Sequence, residues 1–290
     1  MAGELKTRTA VIYPMFMVCA ENMFFAGFKD RLPEDWVPSP EVYHKRFCGR
    51  PGSASADYGS YDTSVPTRIL YDAFDILRSF IDFDRYEGGA RPYRRNSLER
   101  LWAYIVRYFI HTPMLTADNR LVYKHGGVPS GSMFTNLVDT ITSRIITTYL
   151  HRIHGCNATV TTYGDDVHWR DCSCDHAWLE NCAYTDFGMR LKVEQANEHG
   201  CLTYCKAECH LGVPYHTGLW YRNILHCQPK YLGLVALCLM CTMPTSIQAL
   251  QLSRVARAFP TKHKPHSSML TWIDKFFNFW PKFKHRCSNL

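Results

Sequence analysis

The stretch Val160-Thr161-Thr162-Tyr163-Gly164-Asp165-Asp166-Val167-His168-Trp169 contains two β-prone runs separated by a Gly-Asp pair. Apolar and β-branched residues on both sides of Gly164 and Asp165 predict a tight hairpin with carboxylates at its tip. Adjacent aspartates repel each other, so this turn is unfavourable unless a cation binds between them and further acids. The stretch therefore predicts a hairpin that needs a metal, although an isolated Gly-Asp-Asp turn is more commonly a solvated loop.

The composition is that of a folded globular protein. At 290 residues, 46% of them hydrophobic and 20% charged, the chain is long enough for one large domain or two small ones. Its net charge of +7 favours a polyanionic partner, most commonly nucleic acid or a membrane surface. The N-terminus lacks a signal-peptide pattern, and the apolar run Tyr231–Met243 is too short to span a bilayer. We therefore expect a soluble protein in a reducing compartment, with no membrane span.

Thirteen cysteines could form disulfides, bind a metal or remain free thiols. Two groups carry side chains that ligate zinc, namely Cys172, Cys174, His176 and Cys182, and Cys201, Cys205, Cys209 and His210. Neither group has the paired C-x-x-C spacing typical of zinc sites. Buried free thiols are therefore the favoured interpretation, and a zinc site is the alternative.

The N-terminal segment predicts a basic strand followed by a helix. Lys6 and Arg8 are two residues apart, so on a strand they would point to the same side. There they could hold a triphosphate, or they could form an exposed basic edge. Residues Val18–Phe28 are predicted to be helical, and Leu32–Gly52 is predicted to be an irregular connection rich in Pro and Gly.

A second pair of acids follows this connection. The stretch Ser53–Asp62 predicts a short strand that ends in a turn, with Asp57 at its end and Asp62 just beyond. An amphipathic helix is then predicted from apolar residues at helical spacing, which are Ile69, Leu70, Ala73, Phe74, Leu77, Phe80 and Ile81. A strand that feeds such a helix holds an acid rigidly, as a metal ligand requires. Asp62 could instead only cap the turn.

A glycine- and serine-rich loop, Gly126–Asn136, precedes another predicted helix. Its hydroxyls and the Asn136 amide suit the edge of a sugar, but such a loop is also an ordinary helix start. The predicted helix carries the apolar or aromatic residues Leu137, Val138, Ile141, Ile145 and Tyr149. A helix with Leu98, Leu101, Trp102, Ile105, Val106 and Phe109 on one face is predicted upstream of the loop.

Three features lie outside these motifs. Arg91, Arg94 and Arg95 suit either a phosphate contact or a solvated loop. After the hairpin, Asp175–Asp186 is predicted to be a helix and Met189–Glu194 a strand. Near the C-terminus, Trp272–Lys284 mixes aromatic residues with lysines, for which a packing helix is favoured over a nucleic-acid contact.

The order of these motifs resembles motifs A, B and C of viral RNA-dependent RNA polymerases, and partitivirus-like enzymes of double-stranded RNA viruses are the most similar. The matching texts are Asp57–Asp62, Gly127–Asn136 and Tyr163–Asp166. Three further resemblances are weaker: Lys6-Thr7-Arg8 with Glu21 to motif F, Phe187-Gly188 to motif D, and His210-Leu211-Gly212 with Gly218 to motif E. The resemblance covers roughly residues 6–225.

This resemblance implies an α+β fold. We expect a right-hand polymerase palm, an antiparallel sheet backed by helices, with partial fingers and a short thumb. The implied division is partial fingers at 1–52, palm at 53–205 with a finger insertion near 82–125, and motif E with a partial thumb at 206–290.

The resemblance also implies the residue roles. Two Mg²⁺ or Mn²⁺ ions would bind Asp57 and Asp165, with assistance from Asp166. Asp62, Thr135 and Asn136 would form the network that senses the 2′-hydroxyl of the nucleotide. Ser130 and Gly131 would shape the loop around the incoming base pair. Lys6 and Arg8 would neutralise the triphosphate. The expected partners are an RNA template, the product strand, ribonucleoside triphosphates and a viral capsid protein. The expected location is the host cytoplasm, including the interior of the virion.

Two departures from the family pattern shape the alternatives. Gln195 stands where motif D carries a lysine that acts as a general acid, so Lys192 is the candidate substitute. Motif F begins near residue 6, so the N-terminal fingers are expected to be missing and the chain to be a fragment. The alternatives are an inactive remnant that binds RNA or a partner, a reverse transcriptase, and a metal-dependent nuclease.

Overall fold

The computed structural model describes residues 11–32, 53–116, 118–172, 174–195, 202–205, 207–210, 213–215, 223–240 and 246–259. The chain forms two compact units, one of residues 1–36 and 56–193 and one of residues 37–55 and 194–290. The predictions for Lys6, Arg8, residues 33–52, most of the motif E match and the Trp272–Lys284 segment lie outside the described residues.

The helices described in the first unit are α1 Met15–Lys29, α2 Tyr61–Ser64, α3 Thr67–Arg78, α4 Ser97–Ile110, α5 Thr135–Ile153 and α6 His176–Phe187. Every helix that the sequence predicts in the described residues is therefore confirmed, with ends that differ by a few residues. The side chain of Asp175 caps α6 by accepting a hydrogen bond from the Ala177 N–H at 3.0 Å. Gly188 ends the same helix in the left-handed conformation that favours glycine.

A four-stranded sheet carries the predicted motifs. Its strands are β1 Ala54–Gly59, β4 Thr159–Tyr163, β5 Asp166–Arg170 and β6 Arg190–Gln195, in the order β4-β5-β1-β6. Strands β4 and β5 pair antiparallel with Tyr163 opposite Asp166, which confirms the predicted hairpin and leaves Gly164 and Asp165 as its two-residue turn. The short strands β2 Pro113–Leu115 and β3 Leu121–Tyr123 form a separate antiparallel pair.

An aromatic core packs α3 and α4 against the loop before α5. The rings of Phe74 and Trp102 are 5.8 Å apart, and Phe134 lies 5.5 Å from Trp102 and 5.9 Å from Phe74. These edge-to-face contacts between buried rings fix the residues just before α5. The predicted stripe of α3 is confirmed up to Leu77, but Phe80 is 76% exposed because the helix ends at Arg78.

Helix α5 is buried on more of its surface than the sequence predicts. Leu137 and Val138 are buried, whereas Tyr149 is 43% exposed. Much of the buried surface is made by hydroxyl side chains, which are Thr140, Thr142, Ser143 and Thr147. A pattern based on apolar residues counts these positions as polar, so it misplaces the buried face.

The second unit is described in three short strands and two helices. Strands β7 Leu202–Tyr204, β8 Ala207–His210 and β9 Val213–Tyr215 pair antiparallel in that order. Helices α7 Leu232–Met240 and α8 Ser246–Ala258 follow a 3-10 turn at Pro229–Tyr231 and share a core of Ala236, Leu239, Met240 and Leu252. In the part of the chain that the structure describes, no helix is long and apolar enough to cross a membrane.

One disulfide corrects the interpretation of the cysteines. Cys156 and Cys172 are bonded, so the expectation of free thiols is wrong for Cys172 and holds for Cys174 and Cys182. The hairpin explains the pairing. Thr159 lies opposite Arg170 at its open end, and the two cysteines stand just outside this pair.

Candidate active site

The three acids of the predicted site lie on neighbouring strands. Asp57 is exposed within β1, between the buried residues Ala56 and Tyr58. The sequence predicts that the strand ends at Asp57, but β1 continues for two more residues. Asp165 is exposed in the hairpin turn, and Asp166 is half-buried at the start of β5. Because β5 is the neighbour of β1, motif A and the hairpin belong to the same part of the sheet.

A fourth acid, Asp139, joins this group and was missed by the sequence analysis. It lies on α5 and is 6% exposed. Burial raises the pKa of its carboxyl well above the ordinary value, and the negative charges of Asp62 and Asp165 raise it further. Asp139 follows Thr135 by four residues, which places both on one face of the helix, and this spacing was the available signal.

The acidic group fits a divalent cation. The Oδ1 atom of Asp139 is buried and has no hydrogen-bond partner among the described residues. Burial lowers the pKa of the nearby Lys124 amine to about 8, opposed by the charge of Asp139. The Lys124 amine also donates a hydrogen bond to the Gly127 carbonyl oxygen at 2.5 Å. Carboxylate oxygens of this type are the ligands that suit Mg²⁺ or Mn²⁺.

Helix α5 holds the hairpin tip through two side-chain hydroxyls. The Gly164 N–H donates to Thr140 Oγ1 at 2.8 Å, and Ser143 Oγ donates to the Gly164 carbonyl oxygen at 2.8 Å. All three residues are buried, so both polar backbone groups of Gly164 find partners away from water. The residue before Asp165 is thereby held against α5. Sequence reasoning missed both hydroxyl residues.

The same helix is tied to motif A through Tyr61. The Tyr61 hydroxyl donates to the Asp139 carbonyl oxygen at 3.0 Å and lies 2.9 Å from Ser143 Oγ. Desolvation raises the pKa of the buried Tyr61 phenol well above its usual range, so it stays protonated and able to donate. Ser143 therefore contacts both motif A and the hairpin. This arrangement couples three segments that are far apart in the sequence.

The Gly/Ser loop before α5 is shaped mainly by internal contacts. Thr135 Oγ1 donates to the Pro129 carbonyl oxygen at 2.7 Å, so this hydroxyl helps to close the loop. Ser130 Oγ accepts a hydrogen bond from the Val11 N–H at 3.0 Å. A Cβ atom on Gly131 would lie 2.3 Å from the Val11 carbonyl oxygen, so the close approach of that segment requires glycine.

The loop also meets motif A and the hairpin turn. The Val128 N–H donates to the Asp62 carbonyl oxygen at 2.7 Å. Gly127 has a φ of +67°, and a Cβ there would lie 2.3 Å from the same oxygen. The Asn136 amide nitrogen lies 3.3 Å from the position of a Cβ on Gly164, so this amide stands beside the turn. The loop therefore contacts the Asp62 main chain, and the Asn136 amide lies beside the hairpin turn; the implied roles of both residues stay predictions.

Glu21 on α1 supports the loop from a buried position. Its carboxylate accepts hydrogen bonds from Ser132 Oγ and from the Met133 N–H, both at 2.8 Å. The side chain is 0% exposed, and desolvation raises its pKa above the ordinary value of 4.5, while the two hydrogen bonds oppose this shift. Glu21, which the sequence associates with motif F, therefore positions motif B in this structure.

Replacing Glu21 by glutamine should change the pH dependence of stability. A carboxyl whose pKa is raised by folding stabilises the folded state at low pH, and this contribution is lost as the pH rises from about 4.5 through the raised pKa. The free energy of unfolding of the wild type should therefore fall relative to that of Glu21→Gln across this interval. Urea unfolding at a series of pH values measures the difference, and two parallel curves would contradict the assignment.

The remaining predicted residues are less informative. Lys192 is exposed on β6, next to β1 in the sheet, and α6 is joined to this strand by the Val193 N–H, which donates to Glu180 at 2.8 Å. Its role as a general acid stays a prediction. Lys6 and Arg8 lie outside the described residues, so their predicted triphosphate contact stays a prediction too.

An acid-bearing strand, a helix that starts at a Gly/Ser loop and a Gly-Asp-Asp hairpin, joined around one sheet, define the palm of a right-hand RNA polymerase. The chain belongs to the family of viral RNA-dependent RNA polymerases, whose model matches residues 40–207. The resemblance stated from the sequence is confirmed, and so is the α+β palm.

Curated relatives come from double-stranded RNA viruses. The chain is 30% identical over 158 residues to the RNA-directed RNA polymerase of Cryptosporidium parvum virus 1, covering 51% of this chain and 28% of the relative. It is 22% identical over 205 residues to the RNA-directed RNA polymerase of White clover cryptic virus 1, covering 62% of this chain and 32% of the relative. The chain thus spans about a third or less of the length of these relatives.

Solved structures show the same fold. The RNA-dependent RNA polymerase of a human picobirnavirus matches with a TM-score of 0.63 at 16% identity, over 87% of this chain and 51% of that one. The Sicinivirus 3Dpol RNA-dependent RNA polymerase matches with a TM-score of 0.61 at 14% identity, over 91% of this chain and 62% of that one. At these identities the likeness concerns the fold alone.

Proposed function

We propose that this chain catalyses RNA-templated RNA synthesis in the replication and transcription of a viral genome. The reaction is the transfer of a nucleotide from a ribonucleoside triphosphate to the 3′-hydroxyl of an RNA strand. The observation that carries this proposal is the buried Asp139 of the helix that follows the Gly/Ser loop, which lies close enough to Asp62 of motif A and Asp165 of the hairpin for both charges to raise the pKa of its carboxyl. The net charge of +7 also suits an RNA partner.

Asp57 and Asp165 would hold two Mg²⁺ or Mn²⁺ ions, and Asp166 would assist. Bound there, the ions supply charge neutralisation for the attacking 3′-hydroxyl and the leaving pyrophosphate. The protein contributes placement. Asp57 is held in a strand between two buried neighbours. Asp165 follows Gly164, whose N–H and carbonyl oxygen are both hydrogen-bonded to side chains of α5. Rigid support of this kind keeps carboxylates aligned without reorganisation during the reaction.

Asp62 and Asn136 would recognise the ribose of the incoming nucleotide. Both belong to segments that meet at the loop before α5, and the Asn136 amide stands beside the hairpin turn. An amide and a carboxylate can donate to and accept from the 2′-hydroxyl that distinguishes RNA from DNA. Thr135 would act indirectly, because its hydroxyl is engaged with the Pro129 carbonyl oxygen.

The choice of sugar tests this proposal against a reverse transcriptase. A deoxyribonucleotide lacks the 2′-hydroxyl, so its binding would leave the polar groups of Asp62 and Asn136 without this partner. Ribonucleotides should therefore be used more than about a hundredfold better than deoxyribonucleotides. Incorporation of each on one RNA template measures the ratio. Asn136→Ala should reduce it, whereas Asn119→Ala, on the exposed β2–β3 turn, should leave it unchanged. Equal use of both sugars would contradict the assignment. The capsid partner and the cytoplasmic location stay predictions.

A further inference from the structure

A second group of metal-ligating side chains lies at the other end of the β4–β5 hairpin. Its members are His151, Cys156, Cys172 and Cys174, whose ligand atoms all lie within 4.8 Å of one another. The hairpin separates this group from the acids. Its register runs from Tyr163 opposite Asp166 to Thr159 opposite Arg170, four steps or about 13 Å along the strand. The group is therefore distinct from the polymerase site.

Three separate segments bring these residues together. His151 lies in the last turn of α5, and Cys156 follows in the loop, where its N–H donates to the His151 carbonyl oxygen at 2.8 Å. Cys172 and Cys174 follow the end of β5. Pairing of the two strands brings the segment before β4 next to the segment after β5. This proximity is invisible to a search for C-x-x-C spacing.

The histidine is placed for ligation. Its side chain is 1% exposed, and its ring packs edge-on against buried Trp169 at 4.9 Å. Its Nδ1 atom lies 3.3 Å from Cys174 Sγ, and its Nε2 atom is buried without a hydrogen-bond partner among the described residues. A metal held by the cysteines would bind the imidazole through Nδ1, which is the nitrogen that lies beside Cys174.

We propose that His151, Cys156, Cys172 and Cys174 bind one Zn²⁺ ion when the cysteines are reduced. Three thiolates and one imidazole are a standard tetrahedral set for structural zinc. In the structure Cys156 and Cys172 are joined as a disulfide, so the disulfide-bonded form and the zinc-bound form exclude each other. A phosphine reductant with one water molecule converts the disulfide into two thiols and is itself oxidised to the phosphine oxide. Binding of zinc to the three thiols then releases three protons.

The ion would clamp the base of the hairpin to the end of α5. The same helix holds the hairpin tip through Thr140 and Ser143, and the zinc would attach the open end of the hairpin to this helix as well. All four ligands are used by the metal, which leaves no position open for substrate. The site is therefore structural, and its role is to stabilise the hairpin that carries Asp165.

The test uses the full 290-residue chain purified with a phosphine reductant. Elemental analysis after desalting should give one zinc per chain. Cobalt substitution should give thiolate charge-transfer bands and the intense visible bands of a tetrahedral ion, which carboxylate ligands would not produce. Cys174→Ser and His151→Gln should lose most of the bound metal. Cys182→Ser, a free and half-buried cysteine of α6, is the matched control and should retain it.

Several outcomes would overturn the proposal. A folded, reduced wild-type chain without zinc or cobalt would do so, as would zinc retained in folded Cys174→Ser or lost equally from Cys182→Ser. If the ligand variants fail to fold, the cobalt spectrum of the wild type decides, because a spectrum without thiolate bands excludes this site. Persistence of the Cys156–Cys172 disulfide under the reductant, detected by alkylation and mass spectrometry, would also exclude it.

Discussion

Asp165→Asn should reduce the rate of nucleotide incorporation by more than about a thousandfold. Loss of a residue that only supports a metal ligand lowers metal affinity or activity by about 10–100-fold, and loss of the ligand itself should have a larger effect. Asparagine keeps the shape of the side chain and removes the charge that attracts the cations. Because Asp165 is exposed in a two-residue turn, the fold should not depend on its carboxylate.

The same substitution should leave the metal-free protein at least as stable as the wild type. The charge of Asp165 helps to raise the pKa of the buried Asp139 carboxyl, which means that the two groups repel each other when both are ionised. Removing one charge relieves this repulsion. Thermal unfolding in a chelator measures the effect, with Asp186→Asn on the exposed surface of α6 as the control. A large loss of stability in Asp165→Asn would indicate a structural role for the carboxylate instead.

Thr140→Val should reduce activity by about 10–100-fold, the range for residues that orient metal ligands. Valine has nearly the shape of threonine but cannot accept the Gly164 N–H at 2.8 Å. The buried N–H would then lack a partner, which also costs about 1–3 kcal/mol of folding free energy. Without this hydrogen bond the hairpin tip and the Asp165 carboxylate would shift. The loss of rate should appear mainly in kcat, because Asp165 lies next to the reacting groups.

Thr140→Ser provides the matched control for this prediction. Serine keeps the hydroxyl that accepts from Gly164, so most of the activity should return while the methyl group is lost. Steady-state kinetics together with urea unfolding separate the two effects. If Thr140→Ser is as inactive as Thr140→Val, the hydrogen bond to Gly164 does not position the hairpin and this part of the account is wrong.

Local patterns predicted much of this architecture. The hairpin at Val160–Trp169 and the amphipathic helix α3 depend on turn chemistry and on periodicity within a few residues, and both are confirmed. The order of the three motifs predicted the family. These signals are short-range, so a single sequence displays them directly.

Long-range contacts were not predictable in the same way. Asp139, Thr140 and Ser143 lie on a helix whose buried face is partly polar, and apolar periodicity misplaces that face. The partner of each hydroxyl is Gly164, more than twenty residues away on another element. The sequence placed Cys172 and Cys174 in a candidate zinc group but not His151 and Cys156, because only the pairing of the strands brings Cys156 beside Cys172.

A working polymerase site in this chain should extend an RNA primer along an RNA template. The most direct measurement is extension of an RNA primer on a heteropolymeric RNA template with Mg²⁺ or Mn²⁺, comparing the wild-type chain with Asp165→Asn. The wild-type chain should add ribonucleotides in the order that the template specifies, and the variant should not. A folded wild-type chain that adds no nucleotide, or a variant that extends as well as the wild type, would contradict it.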